Sequence, residues 1–410
     1  MTTDRRAAAP STIGTARSPL WPLALGTFAI GVGGGVITGL LPTMSVELGV
    51  SYGRIGALVG VYGVSYAVTA PLVAVFGRRL PPRAMMLSAL AAFAVLCLLT
   101  GLATDYTAVA LLRGAAAVVA GGFTPTATVL ASRIAPPGRR GRAVATVFGG
   151  LTAATVLAAP VGTVLGPTLG YRGVYALVGV CALVAVLAVA LLVRVPAAPR
   201  TGRGGDAADG RRWSPLVLVV LGVSAIETVA AFTVQTYAVP LLALLSGADA
   251  VSVSAVLIAY GLAGVLGNVV GGRLADRLGP SVVLIAALAG ATLAVAALPW
   301  LGTTSWGAGA VFAIWGFSAW ASNSPLQALL LAWSGRHGRL AVALNSSVIA
   351  VGTAGGSLVG GLLVDADRLD ALPLVSAGIM AGSAGVLVVL LAFAGTRGSA
   401  VTPAPVGSGG

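Results

Sequence analysis

The chain has 410 residues, of which 57% are hydrophobic and 9% charged, and its mean hydropathy is +0.99. Soluble globular chains carry about 25% charged residues, so a water-soluble fold is excluded and an integral membrane protein is implied. The net charge of +13 comes from 24 arginines and no lysine, lying in the gaps between apolar runs rather than along one polar face. That pattern marks membrane topology and argues against nucleic acid as a partner.

Residues 1–19, "MTTDRRAAAPSTIGTARSP", lack the compact apolar core and cleavage site of a signal peptide and read as a cytosolic tail. Twelve apolar runs follow, near 20–44, 54–76, 84–102, 106–132, 143–166, 173–193, 214–243, 252–272, 281–300, 307–333, 340–364 and 372–395. Each is close to the roughly 20 residues that span a bilayer. Backbone groups in lipid must be satisfied within the segment, so the runs are helices. The expectation is an all-α integral membrane protein with twelve transmembrane helices.

The first run reads "GTFAIGVGGGVITGLLP" and carries Gly26, Gly31, Gly33, Gly34, Gly35 and Gly39. Glycine is a poor helix former, so this span is intrinsically weak. Gly31, Gly35 and Gly39 recur every four residues, nearly on one face, where another helix could pack closely or a bulky substrate find room. The fourth run contains Arg113. Cys97 and Cys181 lie within apolar runs and propose neither a disulfide nor a metal site.

Residues 194–213, "RVPAAPRTGRGGDAADGRRW", are rich in Pro, Gly, Ala and charge and form a linker. They divide a six-helix half, 20–193, from a second, 214–395. The tail 396–410 is low in complexity. Starting from a cytosolic N-terminus, the inside segments hold 20 arginines and the outside segments three, Arg54, Arg172 and Arg368. Both termini are therefore expected in the cytosol. Two parallel six-helix halves suggest alternating access by rocking one bundle against the other.

Two ionisable residues fall within spans, Arg113 and Glu227. A charge at membrane depth is a functional-site candidate by default. Glu227 lies thirteen residues into its run, about 20 Å along a helix and near the midplane. There it could carry a proton or donate one hydrogen bond to a neighbouring helix. In the tenth run Trp315, Trp320, Asn323 and Gln327 offer aromatic faces and neutral hydrogen-bonding groups, suited to an amphipathic or uncharged organic molecule. The alternative for the two tryptophans is a lipid-facing position. Pro325 should mark a bend there. Gln235 and Tyr237 are similar cavity candidates. Trp21, Trp213, Trp300, Trp306 and Trp333 fall near span ends as interfacial anchors. His337, the only histidine, sits in an arginine-flanked loop.

Gly272-Arg273-Leu274-Ala275-Asp276-Arg277-Leu278-Gly279 resembles the G-x-x-x-D-R-x-G loop of the major facilitator superfamily. The resemblance implies that Gly272, Asp276 and Arg277 belong to a conformational latch. In the first half, "FGRRLPPR" places Gly77 at the Asp position and Arg78 beside it, a departure from the pattern. "GTFAIG…ITGLLP", "APPGRRGRAVATVFGG", "APVGT", "GYRGVYALVG", "QTYAVPLL", "YGLAGVLGNVVGGRLADR", "FAIWG…SPLQ" and "LAVALNSSVIAVG" are similar to the drug and sugar efflux branch, the arabinose-efflux-like permeases. The likeness spans about residues 20–395.

The resemblance implies the major facilitator fold, two six-helix bundles in the cell inner membrane. The function it implies is proton-coupled efflux of a drug or sugar-like metabolite. Arg113 matches that branch's arginine in "LLRGAAA" and is expected to hydrogen-bond backbone carbonyls, bias Glu227 or bind an anionic group. Where relatives read "GTFAIGTTEFVIMGLLP", Gly33, Gly34 and Gly35 replace Thr, Glu and Phe. Gly34 thus stands at the helix 1 carboxylate and is a cavity candidate, and either Glu227 has taken over that carboxylate's task or the protein is not proton-coupled. Gly162, Gly166, Pro167 and Gly170 match part of the exporters' antiporter motif, and small residues for close helix packing account for them equally well. The alternative is a facilitator or importer of a nucleoside- or sugar-like solute. No nucleophile–base pair, metal cluster or phosphate loop suggests an enzyme. The expected partners are a small-molecule substrate and the bilayer, with no metal or cofactor, the chain working as a monomer and drawing on a proton gradient.

Overall fold

The computed structural model describes residues 19–76, 81–136, 139–193, 215–335 and 338–397. These form α1 (Trp21–Leu48), α2 (Tyr52–Phe76), α3 (Pro82–Leu102), α4 (Tyr106–Ile134), α5 (Arg140–Leu192), α6 (Pro215–Gln235), α7 (Ala238–Ser246), α8 (Ala250–Leu278), α9 (Pro280–Leu301), α10 (Ser305–Ala321), α11 (Asn323–Ser334), α12 (Gly338–Asp365) and α13 (Leu372–Arg397). There is no strand among the described residues. Nine of the helices among the described residues are long and apolar enough to cross a membrane. The tails, the central linker, Arg78 and His337 lie outside the described residues.

The thirteen helices make twelve crossings, because one helix holds two spans and two spans are each broken into two helices. The 53-residue α5 holds two, joined at Gly170, whose φ of 67° and ψ of 170° interrupt the helix. Glycine reaches that backbone region without the Cβ penalty other residues carry. Glu47 of α1 accepts from the Tyr171 N–H freed at the break, at 3.2 Å. The seventh span breaks at Thr236–Tyr237, four and three residues before Pro240, whose ring cannot pack on the carbonyl of residue 236 in a continuous helix. The tenth breaks at Ser322, since Pro325 bears the same relation to Ala321. The bend read at Pro325 is present; the one at Tyr237 was not foreseen.

α1–α5 form one bundle and α6–α13 the other. Within each, small residues let backbones approach. A Cβ on Gly39 would lie 2.7 Å from Thr163 N and 2.9 Å from Gly162 Cα in α5. Thr27 Oγ1 donates to Val147 O at 2.7 Å across the same pair. In the second bundle a Cβ on Gly356 of α12 would lie 2.8 Å from Phe232 Cβ of α6.

One end of the molecule carries Arg83, Arg133, Arg139, Arg140, Arg142, Arg273 and Arg277 and is termed the basic end. The opposite end carries Glu47, Asp105, Asp249, Asp365, Asp367 and Asp370. There Asp105, Asp249 and Thr304 cap α4, α8 and α10, accepting from Ala108, Ser252 and Gly307 backbone N–H groups at 2.9, 3.0 and 3.1 Å. Trp21, at the basic end, and Trp300 and Trp306, at the other, are exposed, as interfacial anchors require.

The bundles touch along α2–α12 and α5–α8, and the contacts lie toward the opposite end. Ser254 Oγ of α8 donates to Pro160 O of α5 at 3.4 Å. A Cβ on Gly261 would lie 2.8 Å from Val156 Cα.

Candidate functional site

A cavity of ≈ 640 Å³ lies between the bundles, its lining running from mid-span toward the basic end. The first bundle contributes a wall of small side chains from α1 and α5: Gly31, Gly35, Thr38, Thr152, Thr155 and the alanines beside them. The second contributes everything larger. Glu227, Phe232 and Gln235 come from α6; Tyr260 and Asn268 from α8; Phe312, Trp315, Trp320 and Asn323 from α10 and α11; Asn345 from α12 and Met380 from α13.

The aromatic side of the cavity is built edge to face. The Tyr260 and Trp315 rings are 5.0 Å apart at 61°, and those of Phe312 and Trp315 5.3 Å apart at 76°. Such T-shaped pairs fix ring orientation. Trp315 is 0% exposed, so it faces the bundle and not lipid. Its indole nitrogen and the side-chain oxygen of Asn345 are buried without a hydrogen-bond partner among the described residues.

Among the described lining residues Glu227 is the one ionisable carboxyl, and no arginine or histidine accompanies it. Ser383 Oγ of α13 contacts Glu227 Oε1 and lies 2.9 Å from Met380 O. A serine hydroxyl has one proton and two sites that accept. Given to Glu227 Oε1, that proton meets a carboxylate; given to the Met380 carbonyl, it leaves the contact to Glu227 to be completed by a proton on the carboxyl.

Arg113 is elsewhere. It is 2% exposed, and its guanidinium donates to Gly33 O and Gly34 O at 3.2 Å each, to Leu58 O at 3.4 Å and to the Tyr175 hydroxyl. It also lies over the Tyr62 ring, 5.1 Å from the centroid. The carbonyl contacts expected from the sequence are present; no Arg113–Glu227 pair is formed, because these bonds hold Arg113 within the first bundle.

Of the sequence candidates, Glu227, Gln235, Trp315, Trp320 and Asn323 line one cavity. Three do not. Gly34 turns its missing side chain toward the Tyr62 ring, 3.3 Å from where a Cβ would stand, and uses its carbonyl on Arg113; Gly31 and Gly35 line the cavity instead. Tyr237 sits in the α6–α7 break, fully buried, and donates to Ser357 O at 2.7 Å. Gln327 donates to Asn323 Oδ1 at 2.9 Å and supports that residue from behind the lining. Gly272, Asp276 and Arg277 are at the basic end, the last two exposed; Arg78 is not described. Thr152, Thr155 and Ser383 were missed, for single polar residues in apolar runs carry no spacing signal; Asn345 reads from the sequence as a bond to a neighbouring helix and lines the cavity instead.

The family profile of the Major Facilitator Superfamily matches residues 23–332 and 229–408. The chain belongs to the Major Facilitator Superfamily. Relatives within the superfamily include the inner membrane transport protein YdhP of Escherichia coli (strain K12), 30% identical over 91% of this chain and 96% of that protein. A chloramphenicol resistance protein of Streptomyces lividans is 29% identical over 65% of this chain and 69% of its own length. A probable sugar efflux transporter of Mannheimia succiniciproducens is 25% identical over 86% and 88%. The fold is that of a bacterial homologue of the human lysosomal transporter Spinster in an inward-facing, unoccupied conformation, with a TM-score of 0.72, 18% identity and 91% and 95% coverage. The nucleoside transporter NupG superposes with a TM-score of 0.70 at 13% identity, covering 90% of this chain and 99% of that one. The superfamily places this chain among multi-pass membrane transporters rather than enzymes.

Proposed function

We propose that this protein is a proton-coupled efflux antiporter for small organic molecules, working by alternating access with Glu227 as its proton carrier. The observation that carries the reading is the single carboxyl among otherwise neutral described lining residues, in contact with a hydroxyl that has a second acceptor for its proton. The aromatic and amide lining suits an amphipathic organic molecule without negative charge. The relatives named for chloramphenicol resistance and sugar efflux support export. The arginine-rich end is the cytosolic one on the positive-inside rule, which places both termini in the cytosol. In this reading the protein is a monomer and needs no cofactor beyond the proton gradient.

A second reading is a facilitator or importer without proton coupling, favoured by glycine at position 34, where the efflux branch carries its helix 1 carboxylate. Reconstituted transport separates the two. A panel of aromatic and sugar-like solutes is assayed in liposomes with and without an imposed pH gradient. Glu227→Gln is expected to abolish the gradient-driven component by at least about tenfold while leaving downhill exchange, since only the proton-dependent step is lost. Gradient-driven transport that survives in Glu227→Gln would remove Glu227 from the mechanism. Absence of any gradient effect in the unaltered protein would favour the facilitator.

A further inference from the structure

Asp365 ends α12, at the pole of its own helix where the dipole disfavours an acid. Its carboxylate turns onto the first turn of α2 in the other bundle. Gly53 N–H donates to Oδ1 at 3.0 Å and Ser51 Oγ to Oδ2 at 3.2 Å. Ser51 Oγ also accepts from Arg54 N–H at 3.3 Å. A helix of one bundle is thus capped at its positive pole by an acid of the other.

The fit around this contact is close. A Cβ on Gly53 would stand 2.6 Å from the Asp365 carboxyl carbon. One on Gly361 would stand 3.2 Å from Gly53 Cα. Farther along the same pair, a Cβ on Gly63 would stand 2.7 Å from Ala350 O. All of these meet on the side away from the cavity's basic-end lining. When the bundles rock to turn the cavity the other way, the first turn of α2 and the last of α12 must separate. Asp365 then loses both donors and is left at the unfavourable pole of its own helix.

We infer that Asp365 is a positioning residue for the transport cycle, a helix cap lent across the bundle interface that holds the end opposite the arginines shut. The inference rests on the alternating-access reading and is independent of proton coupling and of substrate. Neighbouring Asp367 and Asp370 do not replace it, because Asp365 alone meets the α2 terminus among the described contacts.

The test is the distance between nitroxides on Val46→Cys and Val251→Cys, exposed positions of α1 and α8 at that end, in a background lacking Cys97 and Cys181. It is read by pulsed electron resonance with no substrate and no gradient. Asp365→Ala and Gly53→Ala are both expected to enlarge the long-distance, open population by on the order of three- to tenfold, the size of a lost helix cap. Asp365→Asn keeps an acceptor for the Gly53 N–H and should move it less. Gly63→Leu, which wedges α2 from α12, is the reference for opening. If it opens the end while Asp365→Ala and Gly53→Ala stay folded and leave the distribution unchanged, the latch is overturned. If Gly63→Leu folds and does not open it either, alternating access itself fails. A loss of thermal stability in Asp365→Ala without a shift in distance would assign it a merely structural role and also overturn the inference.

Discussion

Arg113 is a buried cation whose described partners are dipoles: three backbone carbonyls, one phenol hydroxyl and an aromatic face. A guanidinium suits this because its planar fork reaches several acceptors at once, which a lysine ammonium does not. Gly33 and Gly34 add no side chain between the guanidinium and their carbonyls. The glycine run in α1 is therefore matched to Arg113 as much as to the cavity. Arg113→Lys keeps the charge but abandons part of this set, and should lower stability by about 1–3 kcal/mol. Thermal unfolding in detergent checks it; an unchanged midpoint would mean that the carbonyl cage contributes nothing. The arginine was legible in the sequence, standing alone inside an apolar run. Its partners were not, because a backbone carbonyl has no letter of its own and any residue could have supplied it.

At the scale of the element, glycines with the same letter do opposite things. Gly39 lies where α1 and α5 touch backbone to backbone, and a Cβ there meets Thr163 N and Gly162 Cα, neither of which can yield. Gly378 lies on a face of α13 where a Cβ would meet nothing within 4 Å. Gly39→Ala should destabilise by about 1–3 kcal/mol through overpacking. Gly378→Ala should be neutral or stabilise by up to about 1 kcal/mol, through helix propensity alone. Paired melting curves in one detergent test this, and equal shifts would contradict the packing assignment. The twelve spans were legible because lipid demands long apolar runs. The breaks were legible only in part. Pro325 announced its bend, but Pro240 acts on Thr236, four residues upstream and next to Tyr237. That break seats Tyr237 against α12 rather than in the cavity, which is why a polar aromatic at the right depth proved to be a packing residue.

Across the whole molecule the halves share a plan but not a task. The first presents glycine, alanine and threonine to the cavity; the second presents the carboxyl, the aromatic cluster and the amides. A smooth wall can slide over a bound molecule as the bundles rock, while directional groups on one bundle keep hold of it. Recognition should then reside in the second half. The partnerless Trp315 indole N–H and Asn345 oxygen favour this, since a buried polar group without a partner is costly and a bound molecule that reached it would be rewarded. Trp315→Phe, which keeps a ring and removes the N–H, and Asn345→Ala should each weaken apparent affinity by about tenfold, near 1.4 kcal/mol. Thr152→Ala and Thr155→Ala should change it by less than about twofold, as contacts that only exclude water do. Competition binding of any transported solute to the purified protein gives the four numbers. If the threonine variants lose as much as the tryptophan and asparagine ones, the substrate is gripped from both sides, and the division of labour between the halves is wrong.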